Sequence, residues 1–309
     1  MSAEAASTIE ILSCASCGIA GAVDMKLKDC SACKLVKYCG VECQRKHRPK
    51  HKKECKKRAA ELRDEILFKQ PESRHNGDCP ICCLPLPLGV SVTTMMTCCG
   101  KVVCGGCYYA NQQRATELLK SRCPFCRQPE PDSEEEQLQY IKKRIEANDS
   151  YAMKEMGLFC LHDREDHKSA IEYLSKAAGL GDASAHYQLA IMYNNGNFVE
   201  KDEKKHLYHL EEAAIGGHAN ARYNLGIVEG EKKRYDRAIR HHIIAANLGH
   251  DNSLELLKKN YVNGYVTKEE FASALRAHKA AVDATKSSQR EEGEAYLRMR
   301  REERKHGCF

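Results

Sequence analysis

From residue 138 onward, Ala, Leu and Tyr recur at helical spacing with paired charges between them, the pattern of amphipathic helices. The pattern also repeats. "AGLGDASAHYQLAIMYNNG" (178–196) returns 36 residues later as "AIGGHANARYNLGIVEGEK" (214–232), with Ala185/Ala221, Tyr187/Tyr223 and Leu189/Leu225 as equivalent pairs. A further copy of the junction stands at "AANLGHDNS" (245–253), and an earlier partial unit begins at "YAMKEMGLF" (151–159). A period in the thirties with small residues at fixed offsets predicts stacked helix pairs over 138–262, because Ala and Gly let helices approach closely. "VTKEEFASALRAHKAAVDATKSSQREE" (266–292) predicts one long terminal helix capping that stack, within a C-terminal segment 263–309 that ends in a charged tail. Upstream, residues 14–55 and 79–127 are rich in cysteine instead. Between them "KKRAAELRDEILFKQ" has helical composition and runs into the turn-rich "PESRHNGD", so 56–78 is expected to be a helical linker. "RQPEPDSEEEQ" (127–137) reads as exposed, with 128–137 an acidic, proline-containing linker.

Cysteine changes the picture of the N-terminal part. Sixteen of the 18 cysteines fall within the first 126 residues, and only Cys160 and Cys308 lie beyond. No apolar run approaches the ~18 residues of a membrane helix, and the opening residues lack the form of a secretory signal. A reducing compartment, cytoplasm or nucleus, is therefore expected, where clustered cysteines at fixed spacing read as zinc ligands. The first block orders Cys14-x2-Cys17, Cys30-x2-Cys33, Cys39-x3-Cys43 and His51-x3-Cys55, eight ligands for two tetrahedral sites. The last pair shares a face if it lies on a helix. The second block orders Cys79-x2-Cys82, Cys98-Cys99, Cys104-x2-Cys107 and Cys123-x2-Cys126. The expectation is about four zinc ions per chain, supplying folding energy that blocks of this size cannot draw from a core. The fold class is then multidomain: two small zinc-stabilised α+β modules followed by an all-α helical-repeat solenoid.

Charge adds a local feature. Residues 1–70 carry 15 basic and 9 acidic side chains, and the remaining residues balance at 34 each. Nine Lys or Arg crowd positions 45–58. No aromatic set or Arg/Asn base-readers accompany them, so they read as the solvated face of a zinc module and nucleic acid is not an expected partner.

The run "KYCGVECQRKHRPKHKKEC" and the eight ligands closely resemble a MYND zinc finger. That resemblance implies interleaved sites, Cys14/Cys17 with Cys39/Cys43 and Cys30/Cys33 with His51/Cys55, and a short, often proline-containing peptide ligand. His47 stands where the family often has Trp and reads as a surface or packing residue. The second block, with "CPIC", "CCGKVVCGGC" and "CPFCR", resembles a RING domain. Lys101 occupies the position where the usual pattern has a histidine ligand; Cys98, or else Cys83, completes the set. The RING resemblance implies docking of a ubiquitin-loaded conjugating enzyme through Ile81, Pro124 and Arg127, with no covalent catalytic residue. The Ala-x-Tyr-x-Leu and Ala-Ala-x-x-Gly elements resemble Sel-like, tetratricopeptide-type repeats, which implies a concave face for a protein substrate.

Two functions follow from these resemblances and remain open at the level of sequence: a RING-type ubiquitin-protein ligase, or a non-enzymatic adaptor in which all the modules bind proteins. A methyltransferase is not expected, since no strand-rich catalytic domain follows residue 138. Cys160, in "MGLFC", reads as core rather than as a nucleophile, and Cys308 does not form a prenylation box.

Overall fold

The computed structural model of the chain describes residues 13–21, 26–89, 93–114, 121–162, 164–196 and 198–305. Cys308 and the last residues of the charged tail lie outside these. Two compact units are present, Met1–Lys69 and Gln70–Phe309.

The first unit has one small hairpin, β1 (Lys28–Asp29) against β2 (Lys37–Tyr38), followed by α1 (Val41–Leu67). Its buried centre is Cys14, Cys30, Cys33 and Tyr38, so sulfur takes the place of an aliphatic core. The helix that carries His51 and Cys55 continues without a break to Leu67. The expected helical linker is thus an extension of the finger's own helix, and its basic residues are arrayed along it.

The second unit begins with a hairpin, β3 (Thr93–Met96) against β4 (Lys101–Cys104), and the short α2 (Gly105–Gln112). Then come α3 (Glu134–Glu146) and α4 (Ser150–His162). The helices pair as α4 with α5 (His167–Gly179), α6 (Ala183–Asn195) with α7 (Glu203–Ile215), and α8 (Ala219–Glu231) with α9 (Tyr235–Asn247), and α10 (Asp251–Val262) follows. The chain closes with α11 (Lys268–Asp283) and α12 (Ser288–Lys305). Among the described residues no helix is long and apolar enough to cross a membrane.

The repeat reads directly into turn geometry. Gly181, Gly217 and Gly249 all adopt positive φ (88°, 82° and 87°), which a glycine enters without steric cost. The next residue closes the preceding helix and caps the following one. Asp182, His218 and His250 each donate a backbone N–H back to the carbonyl of Ala177, Ala213 or Ala245 at 3.0–3.1 Å. Their side chains then accept from the N–H of Ala185, Ala221 or Ser253. His218 and His250 accept through Nδ1, which needs an unprotonated ring. Burial, the largest cause, holds His218 well below the ordinary histidine value of 6.5 and lowers His250 too. The stack's core is a column of small and branched residues at equivalent offsets: Ala177, Ala213 and Ala245 are fully buried, as are Leu174 and Leu210. Cys160 is buried in the same core beside Met156 and Ala170.

The structure departs from the sequence reading at three joints. The acidic run of the second linker opens α3. Ser133 Oγ accepts from Glu136 N–H, and Glu134–Glu136 form the first turn, where carboxylates complement the helix dipole. "PESRHNGD", read as a turn-rich break at the end of the 56–78 linker, is docked on the repeats. Arg74 is buried and donates to the carbonyls of Leu248, Leu86 and Ala281, and His75 N–H reaches the Gly217 carbonyl. A Cβ on Gly217 would meet the Ser73 carbonyl at 2.6 Å, so this docking needs glycine. Third, the expected single terminal helix is two. Thr285 Oγ1 donates to the Val282 carbonyl, ending α11, and Ser287 Oγ accepts from Arg290 N–H, starting α12. The Thr/Ser pair supplies both a stop and a cap, and α12 packs on α2 instead of prolonging the stack.

Candidate metal centres

Four Cys-x2-Cys turns share one construction. In each, the residue after the second cysteine is left-handed: Gly18 (φ 74°), Lys34 (55°), Cys83 (55°) and Arg127 (61°). Its N–H donates to the carbonyl of the first cysteine, at 2.8–3.0 Å in all four turns. The first cysteine's own N–H donates onward to the carbonyl of Ile19, Val36, Leu84 or Gln128. The turn so formed directs both thiols to one side and aims the amides of its second half at the first sulfur. The thiols of Cys14 and Cys30 are held down to about 6 and that of Cys79 to about 4; Cys123 is lowered as well. The leading cause is the Cys39 N–H at Cys14 and the Cys104 thiol at Cys79. At Cys30 and Cys123 burial is the largest effect and opposes the shift, but the amides outweigh it. One thiol per cluster is thus stabilised as thiolate, the form that binds metal.

These turns bring the expected residues together in four groups, each with its ligand atoms within 4.8 Å of one another: Cys14, Cys17, Cys39 and Cys43; Cys30, Cys33, His51 and Cys55; Cys79, Cys82, Cys104 and Cys107; Cys98, Cys99, Cys123 and Cys126. The first two groups have the interleaved pairing that the MYND resemblance implies. Sulfur–sulfur distances are 3.7 Å for Cys17–Cys39, 3.8 Å for Cys30–Cys55, 3.8 Å for Cys82–Cys104 and 3.6 Å for Cys99–Cys123. A tetrahedron of thiolates at the ~2.3 Å zinc–sulfur bond length has edges of roughly 3.8 Å. All described cysteines are free thiols. The clusters are therefore compatible with zinc in donor type, number and spacing.

Adjacent Cys98 and Cys99 both reach the fourth group because they occupy the tight turn between β3 and β4. Cys99 and Gly100 N–H both donate to the Met96 carbonyl, and Gly100 is left-handed. Cys83 is not in the group: it is the left-handed residue of its turn, and its side chain is exposed. Lys101 is exposed on β4 and also outside the group. His47 packs, with Nδ1 3.1 Å from Tyr38 Oη and its ring stacked on His51.

Around the second pair of clusters Ile81 is 42% exposed, and Pro124, Phe125 and Arg127 are exposed on the neighbouring turn. Between this module and the helices α4, α6 and α8 lies a cavity of about 400 Å³, lined by His75, Met95, Tyr151, Lys154, Tyr187 and His218, among others. Lys154 is buried there, 2.7 Å from Glu155 and 3.6 Å over the Tyr151 ring. Sequence reasoning missed this cavity and the buried arginines Arg74 and Arg290. A cation destined for carbonyl acceptors at remote positions carries no local pattern.

Residues 14–55 match the MYND finger family, and residues 150–182, 183–218 and 219–250 match the Sel1 repeat. No curated protein matches the chain. Among solved structures, it is similar to the crystal structure of a Sel1 repeat protein from Oxalobacter formigenes, at 26% identity and a TM-score of 0.41 over 47% of this chain and 64% of that one. It is also similar to c5321, a protective antigen present in uropathogenic Escherichia coli strains and displaying an SLR fold. There the identity is 19% and the TM-score 0.36, over 63% of this chain and 40% of that one. The chain thus spans less than two thirds of the length of either structure. The resemblances drawn for 14–55 and for the helical repeats are both borne out, and both kinds of module are generally used for protein interaction.

Proposed function

We propose that the chain is a four-zinc protein-interaction protein whose second cysteine module, 79–127, is a RING-type finger that docks a ubiquitin-loaded conjugating enzyme. The MYND finger and the repeats hold the peptide ligand and the substrate. All sixteen clustered residues act as structural metal ligands in this reading, zinc folding each module and taking no part in chemistry. The observation that carries the ligase reading is the exposure of Ile81, Pro124 and Arg127 on two turns fixed by the third and fourth clusters. An apolar contact, a proline and a forked guanidinium on exposed turns suit docking and orientation of a partner's thioester, an effect of positioning. The cavity beside Lys154 supports a polar protein segment as substrate on the inner helices of the repeats.

The test is a reconstituted ubiquitin-transfer reaction with the zinc-loaded chain and a broad panel of conjugating enzymes. Ubiquitin chains are expected with the wild type and lost in Ile81→Ala. Arg127→Gly is the cleaner second variant, because glycine removes the guanidinium yet accepts the φ of 61° at that position. A fully metal-loaded wild type that stays silent across the panel rejects the ligase and leaves the adaptor.

A further inference from the structure

The third cluster makes a contact that its own module does not explain. Arg290, on α12, is only 5% exposed, and its Nη2 donates to Cys82 Sγ at 3.2 Å and to the Leu84 carbonyl at 3.0 Å. Its Nη1 donates to the Pro85 carbonyl at 2.7 Å and, within its own segment, to the Thr285 carbonyl at 2.9 Å. The guanidinium therefore spans the far side of the Cys79–Leu84 turn, bonded at once to a cluster sulfur and to the backbone that shapes the turn. Cys82 and Arg290 are 208 residues apart in sequence.

The helix carrying Arg290 is seated by a close fit. A Cβ on Gly106 would meet the Gln289 carbonyl oxygen at 2.5 Å, and one on Gly293 would meet the backbone of Gly105 and Gly106 at 2.5 Å. One turn further along, the rings of Tyr109 and Tyr296 lie 4.9 Å apart. Three glycines thus let α12 and the start of α2 touch backbone to backbone, and α2 begins immediately after cluster residue Cys104.

We propose that Arg290 is a positioning residue of the third metal cluster. It donates to the Cys82 thiolate and thereby ties metal retention at that one site to the C-terminal helix. The chemistry is that of an ion held by four thiolates, which carries excess negative charge. A buried cation that also hydrogen-bonds one sulfur offsets that charge and fixes the ligand's direction. The fourth cluster and both clusters of the first unit have no arginine–sulfur contact among the described residues, so the dependence is confined to one ion in four. The C-terminal helix is on this view a component of the second cysteine module. The proposal rests on the reading of the clusters as zinc sites.

The experiment is zinc release from the full-length, zinc-loaded chain into a chromogenic chelator, with ion counts by native mass spectrometry. Far-UV circular dichroism monitors the repeats. Arg290→Gln is expected to keep the repeat helices and to release one ion about 10–100-fold faster, the usual range for partners of metal ligands, with three unchanged. Arg290→Lys, which keeps the charge but not the fork, should fall between. In cobalt-substituted protein, losing the N–H donor should move the thiolate-to-metal charge-transfer band to lower energy, a shift that a purely structural role would not produce. Gly293→Leu, which unseats the helix without touching a ligand partner, should release the same single ion. Release from Arg290→Gln at the wild-type rate, or simultaneous loss of all ions, overturns the proposal. A wild type that holds no zinc overturns the metal reading along with it.

Discussion

The closeness of helix packing in the repeats can be tested at Gly226. It lies on α8 with the ring of His242, from α9, directly over it: a Cβ there would come 2.5 Å from Cε1 and 2.7 Å from Nε2. His242 is only 4% exposed, and its ring is flanked by Tyr223 with centroids 5.6 Å apart, so it has little room to yield. Replacing Gly226 by Ala has two opposed effects. Removing a mid-helix glycine gains about 1 kcal/mol in helix propensity. Forcing a methyl into the ring costs about 1–3 kcal/mol. The net expectation is a loss of about 1 kcal/mol or somewhat more, or about 2–6 °C in melting temperature for a unit of this size. In a His242→Ala background the obstacle is gone and the same Gly226→Ala change should stabilise by about 1 kcal/mol. The sign therefore reverses, with a coupling of about 2–3 kcal/mol in the double-mutant cycle. Thermal melts followed at 222 nm with zinc present give all four corners of the cycle. The equivalent site one repeat earlier already holds Ala190, and there His206 Nδ1 lies 2.8 Å from the Ala190 carbonyl, to which it donates. That pairing shows how an alanine is accommodated when the ring is placed differently. If Gly226→Ala raises the melting temperature of the otherwise wild-type chain, the packing argument is wrong.

Three further outcomes follow from the geometry. Cys83→Gly should stabilise the zinc-loaded chain by about 1 kcal/mol, because it relieves a non-glycine residue at φ 55°, and native mass spectrometry should show no ion lost; a missing ion would make Cys83 a ligand after all. Burial, the largest cause, lowers His241 to about 2 and His242 to about 4, below the ordinary 6.5. The unfolded chain therefore takes up protons that the folded repeats refuse, and stability falls as pH drops from 6.5 toward 4. Urea midpoints measured across that window should decline, with a shallower slope in His242→Leu, and equal slopes in the two proteins would contradict the assignment. Exhaustive chelation should expose the fifteen clustered cysteines to a thiol reagent while leaving most repeat helicity, since α4 to α11 draw their core from Ala and Leu. Full thiol protection without metal would refute the zinc reading.

The parts of this protein that sequence makes legible are those whose chemistry is local. A Cys-x2-Cys turn needs only six or seven consecutive residues to close its hydrogen bonds, and a Gly-Asp or Gly-His step needs only its own backbone and side chain to end one helix and cap the next. Periodic small residues gave the repeats for the same reason: each unit packs on its sequence neighbours. Boundaries were less legible, because a helix end depends on single caps such as Ser133 and Ser287, which look like any linker serine until the hydrogen bond is seen. Adjacent Cys98 and Cys99 were ambiguous because facing one ion requires a particular turn, and that turn is set by the β3–β4 register rather than by the cysteines.

Two of the buried cations mark where local reading ends, and they share one logic. Arg74 and Arg290 are each charged, nearly sealed from water, and satisfied chiefly by backbone carbonyls from distant segments, with Arg290 adding a sulfur. A buried guanidinium without such partners would be strongly destabilising, and its acceptors here are carbonyls at helix ends and in the turn of a cysteine module. Each arginine therefore solves the hydrogen-bonding of two segments at once: Arg74 joins the start of the second unit to the α9 and α11 ends of the stack, and Arg290 joins its last helix to a cysteine cluster. Burial of charge is here a device for fixing how a cysteine module sits on a solenoid, and it explains why the second cysteine module and the repeats form one unit although their sequences have nothing in common.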